Sequence, residues 1–155
     1  AVKKGDLVIV KMLICAGADI DAKGDPARFT ALFYAVDKGD IEIAKELIAK
    51  AKDSCNSEVL ARAIEKRHAE IVKLLIANGA AKRSKIGFTD YSKCFGDWFS
   101  NALRFSDNEM AKALMPLVVD ADRLSLQIDL SVARSSNCSA EIVNAIDNLL
   151  KKKKS

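Results

Sequence analysis

Residues Ala63–Ala80 read AIEKRHAEIVKLLIANGA, and the rest of the chain is spaced around copies of this stretch. From Ala69 to Ala77, the residues Ile71, Val72, Leu74, Leu75 and Ile76 fall on one broad helical face, with Glu70 and Lys73 outside it. That spacing predicts an amphipathic helix with one side buried. Asn78-Gly79-Ala80 ends it, because glycine takes the left-handed conformation that a helix terminus needs. The preceding Glu58–Lys66 predicts a second short helix, whose small residues Ala61 and Ala63 let a neighbour approach closely.

Copies of the Glu-Ile core recur along the chain. They are Gly5–Ile14 (GDLVIVKMLI), Gly39–Ile48 (GDIEIAKELI), Ala69–Ile76 (AEIVKLLI), Asn108–Met115 (NEMAKALM) and Ala140–Ile146 (AEIVNAI). Successive spacings of 34, 28, 39 and 32 residues bracket the roughly 33-residue period of ankyrin arrays. Two further motifs carry the same resemblance: Gly17-Ala18-Asp19-Ile20-Asp21-Ala22, close to GADVNA, and Thr30-Ala31-Leu32-Phe33-Tyr34-Ala35, close to TPLHxA. The chain therefore resembles the ankyrin-repeat family. The first three units match by motif and the last two by position. The resemblance implies an all-α solenoid of stacked helix-turn-helix units with short β-hairpin or loop fingers. The units fall at about 1–23 (partial), 24–50, 56–80, 97–120 and 126–150 of one domain spanning 1–155, followed by a basic tail at 151–155.

Composition narrows the function classes. Half of the 155 residues are hydrophobic, with seven Gly and two Pro, which predicts one soluble folded domain with a real core. No apolar run reaches the ~18 residues needed to span a bilayer. The chain opens mid-pattern, which reads as the end of a first helix and leaves room for a preceding signal or domain. Cys15, Cys55, Cys94 and Cys138 are far apart and form no paired spacing, so a reducing, cytoplasmic setting is expected. Delivery into a host cell stays open. Cys15, on a repeat helix, is expected to pack; Cys94 is a candidate exposed thiol. One His and no paired Cys predict no metal site, and no cofactor is expected. The formal +4 equals the run Lys151–Lys154, leaving 21 basic and 21 acidic residues elsewhere. That run reads as a solvated tail or as a weak, salt-sensitive contact with phosphates or an anionic membrane.

In chain order, helices are expected from about Leu7 to Cys15, Thr30 to Lys38 and Ile41 to Lys50, with a finger over Gly24–Phe29. Asn56 or Ser57 should cap the third inner helix, and His68, at the helix turn, should cap or pack. The irregular 81–96 stretch carries Lys82, Arg83 and Lys85 with the aromatics Phe88, Tyr91 and Phe95, as a recognition loop or an insertion tucked onto the stack. Asp97–Phe105 predicts an inner helix with Asp97 as N-cap and Trp98, Phe99, Ala102 and Leu103 inward. Its outer partner is Asp107–Met115, which Pro116 ends or kinks. The final pair, Leu126–Ser135 and Ala140–Leu150, includes Asp129, Arg134, Ser136 and Asn137, read as polar drift toward water at a terminal repeat.

The resemblance implies a partner surface made of fingers and the exposed face of the inner helices. Carried over by position, it comprises Lys3, Lys4, Tyr34, Asp37, Lys38, Arg62, Glu65, Lys66, Asn101, Arg104 and Phe105, with Ser135 and Ser136 at the end. The finger tips add Pro26, Ala27 and Phe29, plus Lys82, Arg83 and Lys85. Tyr34, Arg104 and Phe105 are the expected anchors, since hot spots favour aromatics and Arg; Tyr34 and Phe105 alternatively pack between helices. Mixed charge argues against a nucleic-acid groove, which wants one sign along a stripe. Catalysis has no phosphate loop, no nucleophile-base pair and no ligand cluster to stand on. Asp120 and Asp122 read as solvated turn carboxylates. The expectation is a non-enzymatic scaffold, monomeric by itself, that binds a partner protein or peptide. The alternatives are a targeting module of a larger protein, such as a bacterial effector, or an anionic lipid or nucleic-acid contact through the basic finger and tail.

Overall fold

The computed structural model describes residues 1–24, 29–51, 55–80, 98–118 and 123–152. Pro26, Ala27, the 81–96 stretch with Lys82, Arg83, Lys85 and Cys94, and Asp97, Asp120, Asp122, Lys153 and Lys154 lie outside the described residues. The chain divides into two compact units, residues 1–85 and 86–155.

In the first unit, a single 3-10 turn (Val2–Lys4) leads into α1 (Leu7–Cys15), followed by α2 (Ala31–Lys38), α3 (Ile41–Lys50), α4 (Ser57–Glu65) and α5 (Ala69–Ala77). Inner helix α2 packs on α3 and α4, α4 packs on α5, and outer helix α3 packs on both α1 and α5. Leu32, Ile43, Leu60, Ile71 and Leu75 are fully buried between them. A short finger precedes α2: Gly24 N–H donates to Phe29 O at 3.1 Å across an antiparallel bridge. Side chains begin the helices, as their sequence suggests. Ile9 N–H donates to Asp6 Oδ1 at 3.0 Å, Phe33 N–H to Thr30 Oγ1 at 3.3 Å and Ile43 N–H to Asp40 Oδ1 at 3.1 Å. Asn56 Oδ1 accepts from both Glu58 and Val59 N–H. Each satisfies a donor the first helical turn leaves open.

The turn between paired helices repeats one conformation, with Gly5, Gly39 and Arg67 all at positive φ. Glycine is required at position 39 on two grounds. Its φ is +75°, and an added Cβ would lie 2.5 Å from the His68 ring. His68 therefore packs on the preceding turn, and its side chain makes no capping bond to α5. Between neighbouring outer helices runs a lysine ladder, Lys11 to Glu46 at 3.0 Å and Lys45 to Glu70 at 3.8 Å.

The second unit holds α6 (98–104), α7 (Asn108–Leu114), α8 (Arg123–Ser135) and α9 (Ala140–Lys152). Phe99, Leu103, Leu114, Leu126, Ile142 and Ile146 form its core. Ser106 and Asn137 take the left-handed turn position here. Met110 N–H donates to Asp107 Oδ1, capping α7, and Lys112 pairs with Glu141 of α9 at 2.7 Å, a lysine–glutamate link between outer helices of the same kind. Pro116 lies in a 3-10 turn, Met115–Leu117, that ends α7. Trp98 is half-buried, while Phe99, Ala102 and Leu103 are buried as expected.

Three sequence expectations are corrected. Cys15 is exposed rather than packed, because α1 buries only Val10. Asp129 does not face water: it is 4% exposed and accepts a hydrogen bond from Ser100 Oγ at 2.5 Å. Lys151 and Lys152 are not loose tail. They extend α9, with Lys151 paired to Asp147 four residues back at 2.6 Å.

Candidate partner-binding face

The finger and the inner helices of the first unit place three aromatic rings together. Phe29 stacks on Phe33 with centroids 3.9 Å apart and planes at 7°, and Tyr34 stands edge-on to both at 6.1 and 6.4 Å. Local sequence explains the placement. Thr30 is the N-cap of α2, so Phe29 precedes the cap and Tyr34 is the fourth helical residue, the two ends of a hydrophobic staple. Cations flank the rings: Lys3 Nζ lies 4.4 Å above Tyr34, and Arg62 Cζ is 5.9 Å from the Phe33 centroid. Both distances suit attraction between a cation and a ring face.

Beside the aromatics, the charged candidates are already engaged with one another. Arg62 grips Asp37 with Nε at 2.8 Å and Nη2 at 2.6 Å, and turns Nη1 to Glu65 at 3.1 Å. Lys66 approaches Asp37 at 3.5 Å. The Arg62 hydrogen bond is the main reason the Asp37 carboxyl titrates below the ordinary carboxylate range, and the same bond raises the guanidinium of Arg62. Lys38 Nζ donates to the Lys3 carbonyl. This edge is a fixed pattern of charge, which costs a partner less ordering than free side chains would.

Between the finger and the start of α4 lies a recess of about 200 Å³ lined by Lys23, Phe29, Phe33, Asn56 and Glu58, among others. Small-molecule pockets run from roughly 300 to 1,000 Å³, so this recess is smaller than a typical ligand site. Among the described residues, no three His, Cys, Asp or Glu are grouped to hold a metal ion.

Sequence reading located Phe29, Tyr34, Asp37, Lys38, Arg62, Glu65 and Lys66, and the structure brings them together. It missed Phe33, Lys23, Asn56 and Glu58 as members of the face. The Phe-Thr-x-x-Phe-Tyr pattern of a staple around an N-cap was the available signal. In the second unit, Asn101, Arg104 and Phe105 sit at the end of α6, all exposed, and Phe105 is 70% exposed. The packed reading of Phe105 is thereby overturned; Tyr34 is half-buried.

Paired helices joined by left-handed turns, with an isolated antiparallel bridge from Gly24 to Phe29 before an inner helix, define a helical-repeat protein. The family model for ankyrin repeats, in three copies, matches residues 1–86. The chain belongs to the ankyrin-repeat family, whose repeats are generally protein-interaction modules. No curated protein matches the chain at a meaningful level. None of the described helices is long and apolar enough to cross a membrane.

Proposed function

We propose that the chain is a non-enzymatic interaction module that binds an extended segment of a partner protein on the finger and inner-helix face of residues 1–85. The carrying observation is the stacked Phe29–Phe33–Tyr34 group, bordered by Lys3 and Arg62 and opening beside a recess of about 200 Å³. Aromatic surface held rigid before binding contributes contact at low entropic cost. The partner segment places an apolar or aromatic side chain against the rings and mixed charge along Asp37, Arg62 and Lys66. The same proposal keeps Asn101, Arg104 and Phe105 of the second unit as a second contact.

The test is a pull-down read by mass spectrometry, comparing the chain with Tyr34→Ala and, separately, with Arg104→Ala/Phe105→Ala. Circular dichroism first establishes that all three are equally folded. A protein retained by the parent and reduced at least tenfold by Tyr34→Ala supports the face. Equal retention by Tyr34→Ala overturns it. Loss only with the Arg104/Phe105 pair moves the site to the second unit. Retention that disappears at modest salt in all three points to the basic residues instead.

A further inference from the structure

One position carries a lysine in each repeat of the first unit. Lys4, Lys38 and Lys66 stand immediately before the left-handed turn residues Gly5, Gly39 and Arg67. The turn itself does not require a lysine, since Phe105 and Ser136 precede the equivalent Ser106 and Asn137. All three lysines are exposed. Lys38 is exposed although the turn Val2–Lys4 and α4 both pack on α2, so this position opens onto the inner-helix face and not toward a neighbouring repeat. The carboxylates of the face are already shared out. Arg62 bonds both Asp37 and Glu65, and its Nε and Nη2 converge with Lys66 Nζ on one oxygen, Asp37 Oδ1. Lys38 donates to the Lys3 carbonyl, a neutral partner, and Lys3 Nζ lies over the Tyr34 ring. Among the described residues, no carboxylate pairs with Lys3, Lys4 or Lys38. Five cations, Lys3, Lys4, Lys38, Arg62 and Lys66, stand against the two carboxylates Asp37 and Glu65.

We infer that the segment bound on this face is acidic, with a carboxylate at every third residue of an extended chain, seated on Lys4, Lys38 and Lys66. The inference rests on the partner-binding reading above and specifies its chemistry. Packed helices lie roughly 8–10 Å apart, which sets the step from one lysine of the row to the next. A polyproline II chain turns once in three residues and rises about 3.1 Å per residue, so positions i, i+3 and i+6 return to one side about 9 Å apart. A β-strand would put i and i+3 on opposite faces. Aromatic rings beside the row suit the same conformation, since grooves lined by aromatics receive such chains. Each carboxylate meets an ammonium group whose present partner is a carbonyl or an oxygen shared with Arg62, so binding adds ion pairs without dismantling the Arg62 network. A nucleic acid is disfavoured, because Asp37 and Glu65 interrupt the positive row.

The test is fluorescence polarisation of labelled nonapeptide pools with the full 155-residue chain. Three pools carry glutamate at every third position, at alternate positions or in one block, and the other positions are randomised over alanine, proline, serine, leucine and phenylalanine. The every-third pool should bind at least fivefold tighter than the other two, and tighter than a matching pool with glutamine in place of glutamate. Lys38→Gln/Lys66→Gln should weaken its binding at least tenfold with an unchanged circular dichroism spectrum. Lys50→Gln/Lys152→Gln, which removes the same charge from α3 and α9, should bind like the parent. A parent that binds no pool, equal binding of the three glutamate pools, or a Lys38/Lys66 variant that binds like the parent overturns the inference. If the glutamine pool binds as tightly and Tyr34→Ala abolishes that binding, the face still receives a partner and the acidic chemistry alone is overturned. Oligothymidylate that binds tighter than the every-third pool, and is lost in the Lys38/Lys66 variant, overturns it in favour of a nucleic acid.

Discussion

Asp37 shows how one residue can hold a face in shape. It accepts from Arg62, lies near Lys66, and so links α2 to α4 across the candidate surface. Its carboxyl titrates below the ordinary value, first because of the Arg62 hydrogen bond. A carboxylate depressed in the folded state stabilises the fold fully above its unfolded pKa of about 4, and that contribution is lost as pH falls through the folded value. Asp37→Asn should therefore be less stable than the parent at pH 7, with the difference shrinking below about pH 4. Urea unfolding at pH 7 and pH 3 reads this directly. An equal gap at both values would mean that the residue acts by shape and not by charge.

At the scale of the element, capping joins helix stability to the binding face. Thr30 closes the first turn of α2 and also sets the angle at which Phe29 meets Phe33 and Tyr34. Removing such a cap costs about 1 kcal/mol. Thr30→Ala should lose that stability and also let the Phe29 ring leave its stack, whereas Thr30→Ser should retain both. Thermal unfolding gives the first, and the ring-current shifts of the Phe29 and Phe33 aromatic protons give the second. If the shifts stay fixed in the Ala variant, the staple holds the finger without the cap.

For the whole molecule, the open question is cooperativity. Ankyrin units are stabilised by their neighbours, so a continuous array passes a local loss along its length. Trp98 is the single tryptophan and lies in the second unit, far in sequence from Leu60 in the core of the first. Leu60→Ala should remove about 2–5 kcal/mol. In one continuous array, Trp98 fluorescence and far-ultraviolet dichroism lose their midpoints together. Two separate transitions, with the Trp98 one unmoved, would make the units independent folding bodies.

Local pattern determined the helices, because their periodicity and caps are short-range signals. Leu7–Cys15 and Ile41–Lys50 end where the sequence says they should, and Asn56, Thr30 and Asp107 cap as side-chain chemistry dictates. The resemblance added the stacking order, and with it the set of inner-helix positions that share a face. Tertiary structure decided what depends on a neighbour. Cys15 is exposed because α1 has little packed on it, and Asp129 is buried because Ser100 comes to meet it. Phe33, which read as one letter of a helix motif, became the centre of the aromatic group because the finger folds Phe29 onto it. A helix can be read from the residues it contains, but the burial of each side chain depends on which other segment arrives beside it.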